Sequence, residues 1–404
     1  MSTAAQDTET AGPAHVATVS FLASRAVPSG GFWVALAGGT ALARVAQRRG
    51  AREGYGASVA AMLETVAIMG PARFGVPLTQ ALSAPLMGRL EARGKGALAQ
   101  FLACAAIRVL SNAVGVAFFV FVIAGGLDAY AGSYENLAGL FGVEVGERGA
   151  VIVTLIGLFA WGAFASAVQV TVYRRGLRSW PAVPAADDTV PPEPEAPHAG
   201  RFDPRVIAVA AAVSFVLLLA GTEWIVLAAV SAFLGVAWAV SRPDRRALPT
   251  GLALAGVLAF GALVFSLGAG LGVEVALRRA SRAALLVLAA TWLRAAAGAD
   301  GLREVSRRAL GRLRALPSAR EAAQVLDTIG SEGRLSSAGR ALLHAIDGVP
   351  NRPAPFVDAV LGWVAREAAH YRAPERAPAL ALRARAADVV LLAAAVAPAA
   401  ALFL

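Results

Sequence analysis

The chain is constrained most by a series of apolar runs too long and too poor in charge for a water-soluble core. Residues 98–126 and 150–173 each exceed the ~20 residues with which a helix crosses a bilayer, and 248–271 and 273–293 repeat the pattern. Residues 206–220 and 224–240 are shorter runs that meet at Gly221-Thr222-Glu223, as in a tight membrane hairpin. Residues 389–404 form a last short apolar helix with Pro398 inside it. Composition agrees: 57% of the 404 residues are hydrophobic and only 16% charged, against about 25% charged in soluble domains. The pattern predicts an all-α, polytopic helical membrane protein with amphipathic cytosolic coupling helices.

The charges orient these runs. Run 150–173 ends on Arg174, Arg175 and Arg178, which the positive-inside rule assigns to the cytoplasm. The segment 127–148 carries Asp128, Glu135, Glu144 and Glu147 and reads as an outer loop. The expectation is a multi-pass protein of the cell membrane, with the lipid bilayer as its first partner. The net charge of +10 comes from arginines scattered between apolar runs, with Lys95 the single lysine. Without aromatic interleaving, this argues against a nucleic-acid partner.

Conventional active-site chemistry finds little support. Cys104 stands alone, so no intrachain disulfide forms, and it reads as a small core residue. His15, His198, His344 and His370 are scattered, which argues against a metal site built on His or Cys. In GRLEARGKG, Gly88 and Gly94 stand one residue too far apart for a phosphate loop, and Gly96 replaces the Ser or Thr expected after Lys95. No nucleophile triad or paired carboxylates lie near one another in the chain. The expectation is a protein that is not an enzyme and carries no cofactor; if ATP drives it, another chain hydrolyses the nucleotide.

The domain reading has four parts. Residues 1–15 are polar and are expected to be an unstructured tail. Residues 16–178 form an N-terminal helical membrane domain. Its first part, up to residue 94, is broken by Pro71, Pro77 and Pro85 and reads as short surface helices or re-entrant hairpins. Residues 179–204 form a cytosolic linker rich in proline and acid. Residues 205–404 form a second membrane domain with cytosolic helices at about 295–388. A faint internal pattern pairs 14–97 and 98–126 with 300–385 and 387–404.

Residues 272–313 join the membrane to those cytosolic helices. Arg278, Arg279 and Arg282 fall in the opening turns of the run, where an ionised side chain at membrane depth costs at least ~2.5 kcal/mol unless it pairs or snorkels. From Arg294 the run becomes basic and amphipathic, with Leu302, Val305, Ala309 and Leu313 at helical spacing. Glu64 and Arg108 are the charges of the first half expected in membrane-like surroundings. They mark either a path for ions or substrate, or charges that neutralise each other without transport, whereas Arg278, Arg279 and Arg282 either bind an anionic lipid headgroup or a partner or, more simply, snorkel to the outer surface.

From Arg201 onward the chain resembles the transmembrane T component of energy-coupling factor transporters, the family that includes the cobalt permease. The likeness rests on Asp203-Pro204-Arg205 before a membrane helix, on the early arginines of 272–313, and on RARAADVVLL before the last helix. It implies a coupling subunit that binds cytosolic ATPase subunits and a substrate-binding membrane component. The family docks its ATPases through two Ala-Arg-Gly-like motifs. In the expected region this chain has Ser318-Ala319-Arg320-Glu321 and Ala338-Gly339-Arg340-Ala341, both departing from the pattern. Better copies are Gln47-Arg48-Arg49-Gly50 and Glu91-Ala92-Arg93-Gly94. Arg49, Arg93, Arg320 and Arg340 are therefore the candidate docking residues, the plainer reading of Arg49 and Arg93 being loop charge. The first half fits either a fused substrate-binding partner or a second coupling module. The alternative functions are an ion-coupled secondary transporter or channel, and a membrane anchor or assembly protein.

Overall fold

The computed structural model describes residues 3–27, 30–73, 77–139, 142–180, 200–241, 247–313, 315–350, 352–373, 380, 382 and 385–402. Among them there is no strand. In chain order the helices are α1 (Thr3–Ala23), α2 (Gly31–Arg49), α3 (Ala51–Met69), α4 (Pro77–Ala92), α5 (Ala97–Phe118), α6 (Leu127–Gly139), α7 (Glu147–Arg178) and α8 (Pro204–Ala220). They continue with α9 (Trp224–Ser241), α10 (Ala247–Gly268), α11 (Val273–Arg312), α12 (Pro317–Leu326), α13 (Glu332–Ile346), α14 (Pro353–His370) and α15 (Ala386–Val396).

Among the described residues, α5, α7, α9, α10 and α11 are long and apolar enough to cross a membrane, and α8 and α15 are shorter apolar helices. Phe159 and Phe164 on α7, and Val257 and Phe260 on α10, stand exposed, as side chains facing lipid tails do. The protein is thus all-α and a multi-pass membrane protein, as the apolar runs predict.

Two apolar cores organise the helices. The first is built on α2, whose residues 34–43 are all buried, and is closed by α1, α3, α4, the last turns of α7, and α12 to α14. Leu36, Leu42, Phe21, Tyr173, Leu326 and Leu335 are its largest fully buried members. The second joins α8, α9, α15 and the first half of α11 around Ile207, Leu218, Val230 and Trp292. Packing thus cuts across the sequence boundary at 179–204, because helices from both sides of it share the first core. Of that linker, residues 181–199 lie outside the described residues.

Two sequence expectations differ from the structure. The segment read as an unstructured tail, 1–15, is helical from Thr3, and from Thr10 onward it is buried. Its small residues explain this: Gly12 approaches α14 so closely that a Cβ there would stand 2.2 Å from the Ala368 carbonyl oxygen. The region read as short surface helices or re-entrant hairpins contains α2 and α3, each of 19 residues. Prolines 71, 77 and 85 do not shorten these helices, because they fall in the turn after α3 and within α4.

Helix α11 supplies the link between the cores. Its dihedrals are helical on both sides of Gly298, which sits at φ 70°, ψ 166°. A residue with a Cβ is strained in that region, so glycine permits the bend.

Candidate functional site

Beyond Gly298, α11 packs against α3 and α12 and carries Arg303 to Glu64. Glu64 is fully buried on α3. Arg303 Nε donates to Glu64 Oε2 at 2.7 Å, and Nη2 is shared between Glu64 Oε1 and the Gly330 carbonyl at 2.9 Å. On the other side of the bend, Arg294 Nε donates to the Ile68 carbonyl at 2.7 Å, and its Nη2 meets both Glu332 oxygens at 3.0 Å. Two arginines of α11 therefore grip the same parts of the molecule, α3 and the start of α13.

Aromatic groups close this joint. His15 of α1 stacks on Tyr371 at 4.1 Å between ring centroids, and the Arg334 guanidinium lies 5.2 Å over the Tyr371 ring. The Tyr371 hydroxyl donates to the Thr328 carbonyl at 2.6 Å. His15 Nδ1 accepts the Gly330 N–H at 3.4 Å, so the ring is neutral with its proton on Nε2. Burial, with Arg334 and Arg303 nearby, lowers the His15 pKa from 6.5 to about 3. Burial also raises the Tyr371 phenol, and it raises the Glu64 carboxyl against the opposing pull of Arg303. Hydrogen bonds, an ion pair and stacked rings thus tie α1, α3 and α11 to the segments around Gly330 and Tyr371.

The second polar cluster lies between spans. Arg108, midway along α5, is 4% exposed. Its Nη2 donates to Gln169 Oε1 of α7 at 2.6 Å, and the Cys104 thiol donates to the same oxygen at 3.0 Å. Gln169 Nε2 in turn donates to Ser83 Oγ of α4 at 2.6 Å. Among the described residues, the buried Arg108 Nε has no hydrogen-bond partner. No carboxylate forms an ion pair with Arg108 among the described residues. Arg108 also lines a cavity of about 820 Å³ between α5, α6, α7 and α10.

Glu64 and Arg108 thus belong to different clusters, one paired by Arg303 and the other by Gln169. Arg278 bonds Glu223 at 3.2 Å and Glu274 at 2.7 Å. Arg282 is buried and reaches the Leu219 carbonyl at 3.4 Å. Both stand near the α11 terminus opposite Gly298.

The four candidate docking arginines divide. Arg93, Arg320 and Arg340 are exposed, whereas Arg49 is half-buried in ion pairs with Glu53 at 2.9 Å and Glu9 at 3.8 Å. Both Arg-Gly copies in the first half end helices. Gly50 follows α2 at φ 101° and Gly94 follows α4 at φ 67°, the backbone that lets a helix stop, and a basic residue in the last turn suits the helix dipole. Asp203 and Asp388, noted in two separate segments, meet: the Asp203 N–H donates to Asp388 Oδ1 at 2.9 Å. Asp203 also caps α8 by accepting from Arg205 N at 2.9 Å, and its bonds to Arg205 hold its carboxyl below the usual range.

Sequence reasoning missed Arg303 and Gln169. Arg303 is one of many arginines on an amphipathic helix, and nothing local distinguishes it. Gln169 had a signal, since an amide inside an apolar run needs a partner across helices. Among the described residues, no group of three His, Cys, Asp or Glu side chains suits a metal.

Compared with protein-family models, curated proteins and solved structures, the chain matches none. Fold and apolar helices define its class, a multi-pass helical membrane protein.

Proposed function

We propose that the chain is a non-catalytic coupling subunit of an importer of the energy-coupling factor type. It passes movement between cytosolic ATPase subunits and a substrate-binding membrane component. The observation that carries this reading is α11, one helix that belongs to the core of α8, α9 and α15 and also packs against α3 and α12, fastened to α3 by Arg294 and Arg303. Under the positive-inside rule the end of α11 beyond Gly298 is cytoplasmic. Exposed Arg93, Arg320 and Arg340 offer forked donors to a partner's carboxylates there. Arg49, already paired within the chain, contributes least.

The test is affinity purification from the native membrane in mild detergent, with identification of what co-purifies. Stoichiometric recovery of one or two ATPases, released by Arg320→Ala or Arg340→Ala, supports the reading. Recovery of the protein alone, under conditions that preserve other membrane complexes, sinks it. A second reading, autonomous transport, is favoured by the bilayer-level cavity at Arg108. It predicts flux by the isolated protein in liposomes.

A further inference from the structure

A buried guanidinium usually has a carboxylate beside it, because an isolated charge in a low-dielectric interior is expensive. Arg108 has a neutral amide instead, and one of its donors is unused. Snorkelling offers no relief. Arg108 is eleven residues from the start of α5 at Ala97, roughly 16 Å along the helix axis, farther than its side chain reaches. The charge is therefore held within the bilayer-spanning layer, on the wall of a cavity.

The cavity has the size of a small-molecule site. Its volume is about 820 Å³, within the range of ligand pockets. Near Arg108 it offers Ser111 and Asn112, and elsewhere its wall is largely aromatic, with Tyr134 and Trp161 among the lining residues. The first turns of α2 and α4 also reach it, through Phe32 and Leu78. Phe119 and Phe265, edge to face at 5.3 Å, line both this cavity and a second one of about 620 Å³. The second is apolar and is lined by residues of α8, α10 and α11, such as Phe215, Leu258 and Leu286. Phe119 opens the π-helical turn Phe119–Ala124, an irregularity that often accompanies functional sites.

We propose that these cavities form one binding site for a single-chain anionic amphiphile. Its oxyanion head, a carboxylate or phosphate, pairs with Arg108, and its chain passes the Phe119–Phe265 pair into the apolar cavity. The guanidinium supplies charge-assisted donors to the head, and Gln169 keeps it oriented by holding Nη2. The site accepts its ligand from the bilayer, where such amphiphiles reside. This proposal stands independently of the coupling reading, since it requires no partner chain.

The experiment uses the full chain in nanodiscs of zwitterionic lipid, with a diazirine-bearing palmitate as probe and the corresponding alcohol as control. Labelled peptides are mapped by mass spectrometry. The expected result is palmitate labelling on α5, α7 and α10, reduced roughly tenfold by Arg108→Gln, the scale of a lost charge-assisted contact. Arg108→Lys, which keeps a positive charge, should retain part of the labelling. If Arg108→Gln does not fold, Gly157→Phe serves in its place. Gly157 lines the cavity, and nothing stands within 4 Å of a Cβ built there, so the ring would occupy the chain's space and abolish labelling. Equal labelling by acid and alcohol, or labelling indifferent to both variants, overturns the proposal. Displacement of the probe by millimolar inorganic phosphate would show that a free oxyanion suffices and would overturn the amphiphile assignment. Persistence of the probe supports a ligand drawn from the membrane.

Discussion

The Glu64–Arg303 joint and the Arg108 cluster each bury a charge, the Glu64 carboxylate in one and the Arg108 guanidinium in the other, yet they answer it differently. Arg303 meets a fully buried carboxylate in two hydrogen bonds and a backbone carbonyl besides. Arg108 meets only the side-chain oxygen of Gln169 and borders an open cavity. The first arrangement is complete within the chain and resists change. The second gives the guanidinium a neutral amide and, among the described residues, no carboxylate. Burial alone therefore does not tell a structural charge from a functional one; the identity of the partner does.

The contrast is exposed most severely by Arg303→Ala. It strands the Glu64 carboxylate, and breaking a buried pair from one side costs about 3–5 kcal/mol. A marked fall in the thermal midpoint in detergent is the expected outcome, and an unchanged midpoint would show that the joint carries no load.

Next in size is the pH response of the same joint. The His15 pKa of about 3 lies below its ordinary 6.5, so the unfolded chain binds a proton there that the folded one refuses. Stability should thus fall as pH drops from 6.5 towards 3, by up to roughly 4 kcal/mol from this group. His15→Asn should lose less over that window than the parent, as read by unfolding curves at successive pH values. Parallel curves would remove His15 from the account.

Smaller effects follow when charge is removed evenly. Replacing the pair together, as Glu64→Leu with Arg303→Met, should lie within about 2 kcal/mol of the parent, because no unpaired ion remains. Arg108→Met should shift stability least, by about 1 kcal/mol or less in either direction, since it removes a costly charge along with a hydrogen bond. The comparison breaks if Arg108→Met unfolds the protein as Arg303→Ala does. Midpoints measured in one detergent would rank the variants.

Much of this arrangement was legible in the sequence. The apolar run 273–293 and the amphipathic stretch after Arg294 were read as continuous, and both fall within α11. The apolar runs located the spans, because bilayer thickness imposes a length on each. Glu64 was harder to place. It was expected in membrane-like surroundings, but its partner is Arg303, 239 residues further on, and local pattern carries no trace of such a pairing. The segment 1–15 failed for a related reason: Gly12 and Ala14 look featureless until α14 is laid against them. The Arg-Gly copies teach the opposite lesson, since helix-ending chemistry accounts for Gly50 and Gly94 without any partner.

The bend at Gly298 has a consequence for how force travels. Arg294 stands before it and Arg303 after it, and both fasten to α3 and to residues 330–332. An elbow clamped on both sides cannot flex like a hinge, so any turn would carry both arms together. Its arms, Val273 to the bend and the bend to Arg312, measure roughly 37 Å and 21 Å at helical rise. A rigid rotation about the bend would carry the far end of the long arm nearly twice as far as that of the short one.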